Sequence, residues 1–436
     1  MKGLSVFQVI LLAVFGALAI SGILIFALFV GGGTGNSVGA VSIWGTLDPN
    51  AFTVVIRQMA EKDGNFSQVS YAQKDPLQYE NLITESLASG VGPDLFLLRQ
   101  DYVIKNGGKV VPIPFEYLSQ TQFENTFVEA ASPFIGTDGV LGIPISVDPM
   151  ILYWNQDMLS AAGLAKPPQY WDEVPPMVKK IVKKDDGGRI TKAAVAFGEF
   201  TNVDHAKDII ALLTLQAGGA ITQKDNTGRL IPTLSARTAG SASQATESAV
   251  RFYTEFADPS KIDYSWNRSL RNSRQAFADG DLALYMGFAS EDALIRRTNP
   301  NLNYAQAPVP QIRNAENPLN VARVYALAIS RTSKNQAGAR IVASLMGGKN
   351  FVSSLSIALG LPAARRDVLS EGGEDRDILA KREALIAHSW IDPDPEGTSK
   401  IFQAMIEGVT SGLARPAEAI GRANQEIAQI LEKLQQ

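Results

Sequence analysis

The sequence predicts an α/β protein built on a parallel sheet, and two observations support this fold class. Between residues 41 and 98, short apolar runs alternate with helical patterns in the order strand, helix, strand, helix, strand, which is typical of parallel sheets with crossover helices. The chain has 436 residues, of which 45% are hydrophobic and 19% are charged. A chain of this length and composition is long enough for two or three domains with buried cores.

The first three strands and two helices follow from local patterns. Residues 41–44 alternate as a strand, and a helix then begins at Asp48, whose carboxylate is a good N-cap. Residues 69–71 form the second predicted strand, and apolar positions between 79 and 87 recur at helical spacing. Residues 94–98 run from Asp94 into a continuous apolar stretch, which favours a strand that is covered on both faces.

Two apolar runs in the middle of the chain, residues 141–145 and 151–154, flank Pro149. Because proline breaks a strand ladder, this arrangement predicts a segment near Asp148 that crosses between two lobes. Proline and glycine between apolar runs predict two further crossings, near residues 303–310 and 353–360. The remaining predicted elements are buried strands at 283–286 and 324–329 and helices over 401–434.

The N-terminal segment predicts a transmembrane helix. Residues 4–30 contain no charged residue, and a bilayer needs about 20 apolar residues in a helix. The run is longer than the apolar core of about 7–15 residues in a cleavable signal peptide, although a cleaved signal is the alternative. Residues 1–30 are therefore predicted to anchor the chain, and 31–40 to form a Gly-rich linker. With Lys2 as the sole nearby positive charge, the rest of the chain is expected outside the cell membrane, in the extracellular or periplasmic space.

Composition excludes several classes of function. The chain has 40 Lys and Arg against 44 Asp and Glu, with a net charge of −4, so it lacks the basic excess that is usual in nucleic-acid-binding proteins. It has no Cys and two His residues, which excludes disulfides, thiolate zinc sites and a multi-His metal centre. The sequence therefore predicts no cofactor, no metal and no nucleic-acid partner.

Several segments, in order, resemble the family 1 extracellular solute-binding proteins of ABC importers, the group that includes maltose-binding protein. The most similar is DGVLGIPISVDPMILYWNQD at residues 138–157, which resembles the family's Gly-x-Pro, acidic residue and Leu-Tyr-Tyr-Asn-Lys-Asp pattern. The others are YENLITESLASGVGPDLF at 79–96, AAGLAKPPQYWDE at 161–173, FADGDLALYMG at 277–287, residues 329–346, Leu361-Pro362 and the helix through Ser411-Gly412. Three departures are the missing lipid-bearing Cys, Gln156 in place of Lys, and Leu98 where the family has an aromatic platform.

The resemblance implies a two-lobed periplasmic-binding-protein-like fold with a hinge cleft, preceded here by the N-terminal transmembrane helix. It implies a first lobe over residues 41–147 and 308–355 and a second over 148–307 and 356–436. It also implies that the protein catalyses no reaction, but captures a small-molecule ligand, expected to be a sugar, and delivers it to an ABC permease.

A sugar site needs carboxylates, amides and Arg for hydroxyl groups and aromatic rings for the apolar faces. Polar and aromatic residues next to predicted strands and crossings, several of them at positions aligned with the family's cleft, supply these groups. The candidate ligand-binding residues are Trp44, Asp48, Asp101, Asp148, Glu199, Phe288, Arg323, Tyr325 and Trp390. Each also has a structural interpretation, such as helix capping for Asp48 or packing for Trp44, and Trp171 is interpreted as a core residue.

Two other functions remain open from the sequence. An exported carbohydrate-active enzyme, such as a glycoside hydrolase, needs a pair of carboxylates about 5–9.5 Å apart, and Asp48, Asp101, Asp148 and Glu199 supply such groups. A binding module of a membrane sensor has the same sequence features as a transport protein.

Overall fold

The computed structural model describes residues 38–235, 242–371 and 375–434. The predicted membrane helix over residues 1–30 and most of the linker after it lie outside these described residues. Within the described ranges, no single helix is long and apolar enough to span a membrane. One bent pair, Gln336–Met346 and Lys349–Leu359, passes by length and composition when its two helices, 70° apart, are taken together.

The strands are short, apart from two long ones in the middle of the sheet. They are β1 (Val41–Gly45), β2 (Val69–Gln73), β3 (Leu95–Arg99), β4 (Ile143–Asn155), β5 (Lys183–Lys184), β6 (Ile190–Val195), β7 (Thr222–Lys224), β8 (Leu230–Pro232), β9 (Leu282–Phe288), β10 (Tyr304–Ala307), β11 (Asn320–Ile329) and β12 (Ala387–His388).

Helices connect the strands and cover the sheet. They are α1 (Pro49–Ala60), α2 (Tyr79–Ala88), α3 (Val103–Asn106), α4 (Gln120–Thr126), α5 (Gln156–Ala161), α6 (Val174–Ile181), α7 (Ala206–Gln216), α8 (Ala242–Glu255), α9 (Ser273–Ala278), α10 (Asp292–Thr298), α11 (Gln336–Met346), α12 (Lys349–Leu359), α13 (Arg366–Leu369), α14 (Asp375–Leu385), α15 (Pro395–Thr410) and α16 (Pro416–Leu434).

The sheet confirms the predicted α/β class. Its strands are ordered β2-β1-β3-β11-β4-β9-β6-β5, with β10 paired to β4 and β12 to β11. The first three strands are parallel to one another. β11 runs antiparallel to β3 and β4, and β4 runs antiparallel to β9. The carboxyl ends of β1 and β3 therefore lie at one edge, which is where α/β proteins place their ligand sites.

The long strand β4 corrects one expectation. The prolines were expected to interrupt the ladder, but β4 runs through both of them from Ile143 to Asn155. Pro144 lies at a register shift in the pairing with β11, and Pro149 lies at the last residue pair before β4 leaves β11. Because a bulge or a strand end needs no N–H donor at that position, both prolines are tolerated. Beyond Pro149, β4 pairs with β9 instead.

Buried side chains fall into two hydrophobic cores, one in each lobe. Along β4, the buried apolar side chains up to Val147 belong to the first core, and those from Met150 onward belong to the second. On β11 the change falls between Val321, in the second core, and Ala322, in the first. Both long strands therefore pass from one lobe to the other as neighbours in a single sheet.

The lobe boundaries that were expected near residues 308 and 355 do not coincide with the points where the chain passes from one core to the other. Val309 packs in the second core, whereas Ala363, Val368 and Ala387 still pack in the first, and the C-terminal change falls between Ala387 and Ile401. The glycine that suggested the last crossing, Gly360, instead ends α12 in a left-handed conformation with φ +66°. Glycine is common at that position because it has no Cβ to clash.

Candidate functional site

The cleft between the lobes contains two adjacent cavities with volumes of about 510 and 440 Å³, called here the first and the second cavity. Arg99, Tyr102 and Arg323 line both and form the partition between them. Arg99 and Tyr102 follow β3 in the first lobe, and Arg323 lies on β11 just beyond its crossing point. The partition therefore lies where the two lobes meet.

The first cavity is lined by charged groups and rings from both lobes. Asp101 comes from the turn after β3, His205, Lys207 and Asp208 come from the start of α7, and Trp390, Asp392 and Glu396 come from the segment that leads into α15. The second cavity is lined mainly by the first lobe. Its polar residues are Asp48, Glu80, Asp148, Ser290 and Tyr325.

A 3₁₀ turn fixes the end of β3. The buried Gln100 side chain accepts a hydrogen bond from the Val324 N–H at 2.7 Å and donates to the Ala322 carbonyl at 3.3 Å, which ties the turn to β11. Its neighbours Arg99 and Asp101 form two hydrogen bonds of 2.6 Å with each other. Burial works against ionisation of Asp101, but the Arg99 guanidinium outweighs it and lowers the pKa of Asp101.

Lys207 and Asp392 form a buried ion pair at the wall of the first cavity. Their Nζ and Oδ2 atoms are 2.5 Å apart, and the two side chains are 14% and 0% exposed. Thr398 donates to both carboxylate oxygens of Asp392, and Lys207 also lies 5.4 Å from the Trp390 ring centroid. Burial raises the pKa of Asp392 to about 6, although Lys207 and Thr398 act in the opposite direction.

Arg323 is held by contacts with the second lobe. Its guanidinium lies flat over the Phe288 ring, 3.8 Å from the ring centroid. Its Nη2 atom lies 3.2 Å from Asp208 Oδ2 and 3.1 Å from His205 Nδ1. These contacts leave the guanidinium between the two cavities, because α7 and β9 support it from behind.

Asp148 is almost fully buried where β4 crosses between the lobes, with 1% of its surface exposed. Its Oδ1 atom accepts a hydrogen bond of 2.9 Å from the Ser290 N–H. Burial raises the pKa of Asp148 to about 6, while hydrogen bonds from Ser290 and the charge of Arg323 act to lower it. A buried carboxylate with few donors gains from hydroxyl groups placed in the second cavity.

The rim of the first cavity carries a bridge between the lobes. Lys105, on α3 of the first lobe, forms an ion pair with Glu396 on α15, and its Nζ lies 3.4 Å from Asp394. The Tyr102 hydroxyl donates to Glu396 at 3.0 Å. These side chains are half exposed, so their bridge contributes only modestly to holding the two lobes together.

Six of the nine predicted residues come together in the cleft. Asp101 and Trp390 line the first cavity, Asp48, Asp148 and Tyr325 line the second, and Arg323 lines both. Asp48 also caps α1, accepting from the Asn50 N–H at 2.7 Å, which confirms its interpretation as a helix cap.

Three predicted residues line neither cavity. Trp44 packs against the first core, with the Lys74 ammonium 4.1 Å above its ring. Glu199 is buried beside Arg268, at 3.4 Å. Phe288 is a core residue that supports Arg323 from below, because β9 is buried along its whole length.

The sequence analysis missed the contributions of Arg99, Tyr102, His205, Lys207 and Asp392. His205 and Lys207 lie at the start of a helix with an ordinary apolar pattern, and nothing local marks them as cleft residues. A signal was available for Arg99 and Tyr102, which lie within two residues of the predicted Asp101 at the end of a strand with four buried residues.

The geometry defines a class: a two-lobed binding protein whose ligand cavities lie between the lobes. The family of bacterial extracellular solute-binding proteins matches residues 73–347. This match covers more than half of the chain, and the protein belongs to that family.

Individual relatives are distant. Over 100 residues, the chain is 26% identical to a Brucella abortus (strain 2308) protein that is named as a binding protein, and this stretch covers 23% of the chain and 24% of that relative. The match thus spans about a quarter of the relative's length.

Solved structures share the fold over most of the chain. One is an ABC transporter solute-binding protein from Thermotoga lettingae bound with α-D-tagatose, with a TM-score of 0.67 and 22% identity over 90% of this chain and 99% of that one. Another is the cyclic α-maltosyl-1,6-maltose binding protein of Arthrobacter globiformis, with a TM-score of 0.74 and 15% identity over 90% and 99% of the two chains.

Proposed function

We propose that this protein captures a carbohydrate in the cleft between its lobes, outside the cell, and presents it to an ABC importer without catalysing a reaction. The observation that carries the proposal is the composition of the first cavity. It combines an aromatic face at Trp390 with paired charged groups that can exchange hydrogen bonds with hydroxyls, and it draws them from both lobes. Sugars present apolar faces and hydroxyl edges, so they fit such a lining.

The ligands named for the structural relatives support a carbohydrate. They are α-D-tagatose for the Thermotoga protein and a cyclic maltosyl-maltose for the Arthrobacter protein. They range from a monosaccharide to a cyclic oligosaccharide, so they support the class of ligand rather than one member of it.

A calorimetric and thermal-shift panel tests the proposal. The full chain is titrated with D-glucose, D-tagatose, maltose and maltotriose, and each mixture is also analysed for cleavage products. We expect at least one sugar to raise the melting temperature, because a ligand that binds only the folded state stabilises it. Uncleaved sugar after prolonged incubation is the expected result for a binding protein.

Two matched variants locate the binding. Arg323→Met removes the cation from the cleft, whereas Arg313→Met removes a cation whose partners Asp172 and Glu173 lie on the surface of the second lobe. Only the first is expected to weaken binding. No stabilisation by any sugar of the panel, or equal binding by both variants, contradicts the proposed site.

Asp148→Asn is expected to weaken sugar binding about ten- to a hundredfold at pH 7.5, because a hydrogen bond to a charged group contributes about 1.5–3 kcal/mol. In the unmutated protein, affinity is expected to rise with pH through about 6 as Asp148 loses its proton. The variant lacks this titrating group, so its pH profile should be flatter. Calorimetric titration between pH 5 and 8 measures both effects, and an unchanged profile in the variant would mean that Asp148 does not contact the sugar.

Sugar binding is expected to compact the protein. The lobes are joined by β4, β11 and the segment after β12, and a ligand that contacts both lobes favours the closed arrangement. Small-angle scattering at saturating sugar should show a smaller radius of gyration than without sugar. An unchanged radius would indicate a rigid cleft, and a permease would then have no closed state to detect.

We further propose that the chain stays attached to the cell membrane through residues 1–30. The long uncharged run supports this, and no Cys follows that could carry a lipid. The full-length protein is expected to remain with membranes after an alkaline wash. A soluble product whose first residue lies between Asn36 and Val41 would instead indicate a cleaved signal peptide.

A further inference from the structure

His205 occupies an unusual position at the base of the cleft. It precedes α7 in a left-handed conformation, with φ +59° and ψ +23°, which is uncommon for residues other than glycine. Its ring is 13% exposed and meets the Phe288 ring edge to face at 4.8 Å. Both ring nitrogens have charged partners, Glu291 at Nε2 and Arg323 at Nδ1.

The partners fix where the proton of this ring must lie. Arg323 Nη2 is 3.1 Å from Nδ1, and a guanidinium can donate but cannot accept. Nδ1 must therefore carry a lone pair. The one proton of the neutral ring is then on Nε2, which donates it to Glu291.

Glu291 accepts the hydrogen bond from His205 Nε2 as a carboxylate. It also accepts from the Tyr285 hydroxyl at 2.5 Å and from the Phe288 N–H at 3.1 Å. Burial opposes its ionisation, but the contact with His205 and these hydrogen bonds lower the pKa of Glu291 to about 2. The carboxylate is thus ionised throughout the physiological range.

We propose that His205 is a positioning residue of the binding cleft: its neutral ring, through the lone pair on Nδ1, holds the Arg323 guanidinium between the two cavities. This inference concerns the geometry of the same cleft and rests on the proposed function for its effect on sugar affinity.

Spectra of the two histidine rings test the proton position directly. The full chain is labelled with ¹⁵N-histidine in detergent micelles, and the two rings are assigned with His388→Gln. At pH 7.5 we expect His205 to carry its proton on Nε2 and not on Nδ1. A ring with hydrogen on Nδ1 at this pH overturns the inference.

A matched pair of variants tests the coupling to Arg323. Arg323→Met removes the donor that faces Nδ1, so at pH 7.5 a larger share of the neutral His205 rings is expected to carry the proton on Nδ1. Arg274→Met also removes a cation near Glu291 but leaves the Nδ1 contact in place, so its ring should keep the proton on Nε2. Equal effects in the two variants would contradict a specific contact with Arg323.

Maltotriose affinity tests the consequence for binding. At pH 7.5, His205→Ala is expected to weaken binding about tenfold through loss of a charge-assisted hydrogen bond. His205→Asn should weaken it less, since Asn tolerates the left-handed backbone and offers an oxygen near the Nδ1 position.

The two kinds of measurement separate the possible failures. If maltotriose does not bind the unmutated protein, the proposed function fails for that sugar, and the ring spectra still decide the inference. If maltotriose binds the unmutated protein and His205→Ala equally well at pH 7.5, the inference about His205 is wrong and the binding function stands.

Discussion

Lys207→Met is expected to lower the free energy of unfolding by about 3–5 kcal/mol at pH 8, since it leaves the carboxylate of Asp392 buried without its cation. The Asp392 side chain is 0% exposed, so water cannot replace the lost partner. Thr398 remains as a donor to both oxygens, but a hydroxyl offsets only part of a buried charge. Chemical denaturation followed by circular dichroism measures the loss.

The effect of Lys207→Met should depend on pH. The pKa of Asp392 is about 6 in the folded protein and 3.8 ordinarily, so between these values the folded state holds a proton that the unfolded chain has released. The stability that Asp392 contributes is therefore present at low pH and is lost as pH rises through about 6. At pH 5 the carboxyl is already protonated, and the cost of removing Lys207 should be smaller than at pH 8.

An exposed ion pair in the same lobe is the control. Lys192 and Asp281 lie 2.8 Å apart with side chains 39% and 48% exposed, and such pairs contribute about 0–1 kcal/mol. Lys192→Met should therefore change stability little at either pH. If the two lysine variants lose the same free energy, burial of Asp392 is not the cause.

Trp171→Ala is expected to cost about 3–5 kcal/mol of folding free energy while leaving sugar affinity unchanged in the folded fraction. The ring is 7% exposed in the second core, and it packs against Phe197 and Phe252 with centroids 5.9 and 5.8 Å away. Its Nε1 donates to Gln216 at 2.6 Å, so truncation removes packing and a hydrogen bond together. Thermal melting and calorimetric titration of the same sample provide the two values.

Trp390→Ala is the matched control, because it is expected to weaken sugar binding while lowering stability less than Trp171→Ala. This ring lines the first cavity and stacks on Phe402 with an interplanar angle of 18°. Loss of a ring that contacts the ligand is expected to weaken binding by about 2 kcal/mol or more, with a smaller loss of stability. Should Trp171→Ala abolish binding while Trp390→Ala leaves it intact, the assignment of the two rings would have to be exchanged.

Much of the fold follows from local sequence patterns. The first three strands lie within two residues of their predicted positions, because β1 and β3 alternate or run apolar and stop at turn residues. β6 was missed, since Thr191 and Lys192 interrupt its apolar run, and its partner β9 is about ninety residues away in the chain. β4 was divided in two, because proline at a register shift looks the same in sequence as proline at a strand end.

The candidate site was less accessible from sequence than the fold. Asp101, Asp148 and Trp390 were found because they stand next to buried strands or proline turns. Lys207 and His205 were missed because their importance depends on Asp392, Arg323 and Glu291, which are distant in the chain. Trp44 was expected to contact the ligand because it lies near the end of a strand, yet Lys74, from the segment after β2, lies over its ring.

The passage of β4 and β11 from one lobe to the other, side by side and hydrogen-bonded, determines the mechanics of the hinge. Two paired strands resist shear, since sliding by one residue would turn every side chain to the opposite face. They bend and twist more easily, because sheets accept a range of twist angles. In the proposed closure, such a ribbon would bend elastically along one axis, and the energy stored in it would return the lobes to the open arrangement when the cleft empties.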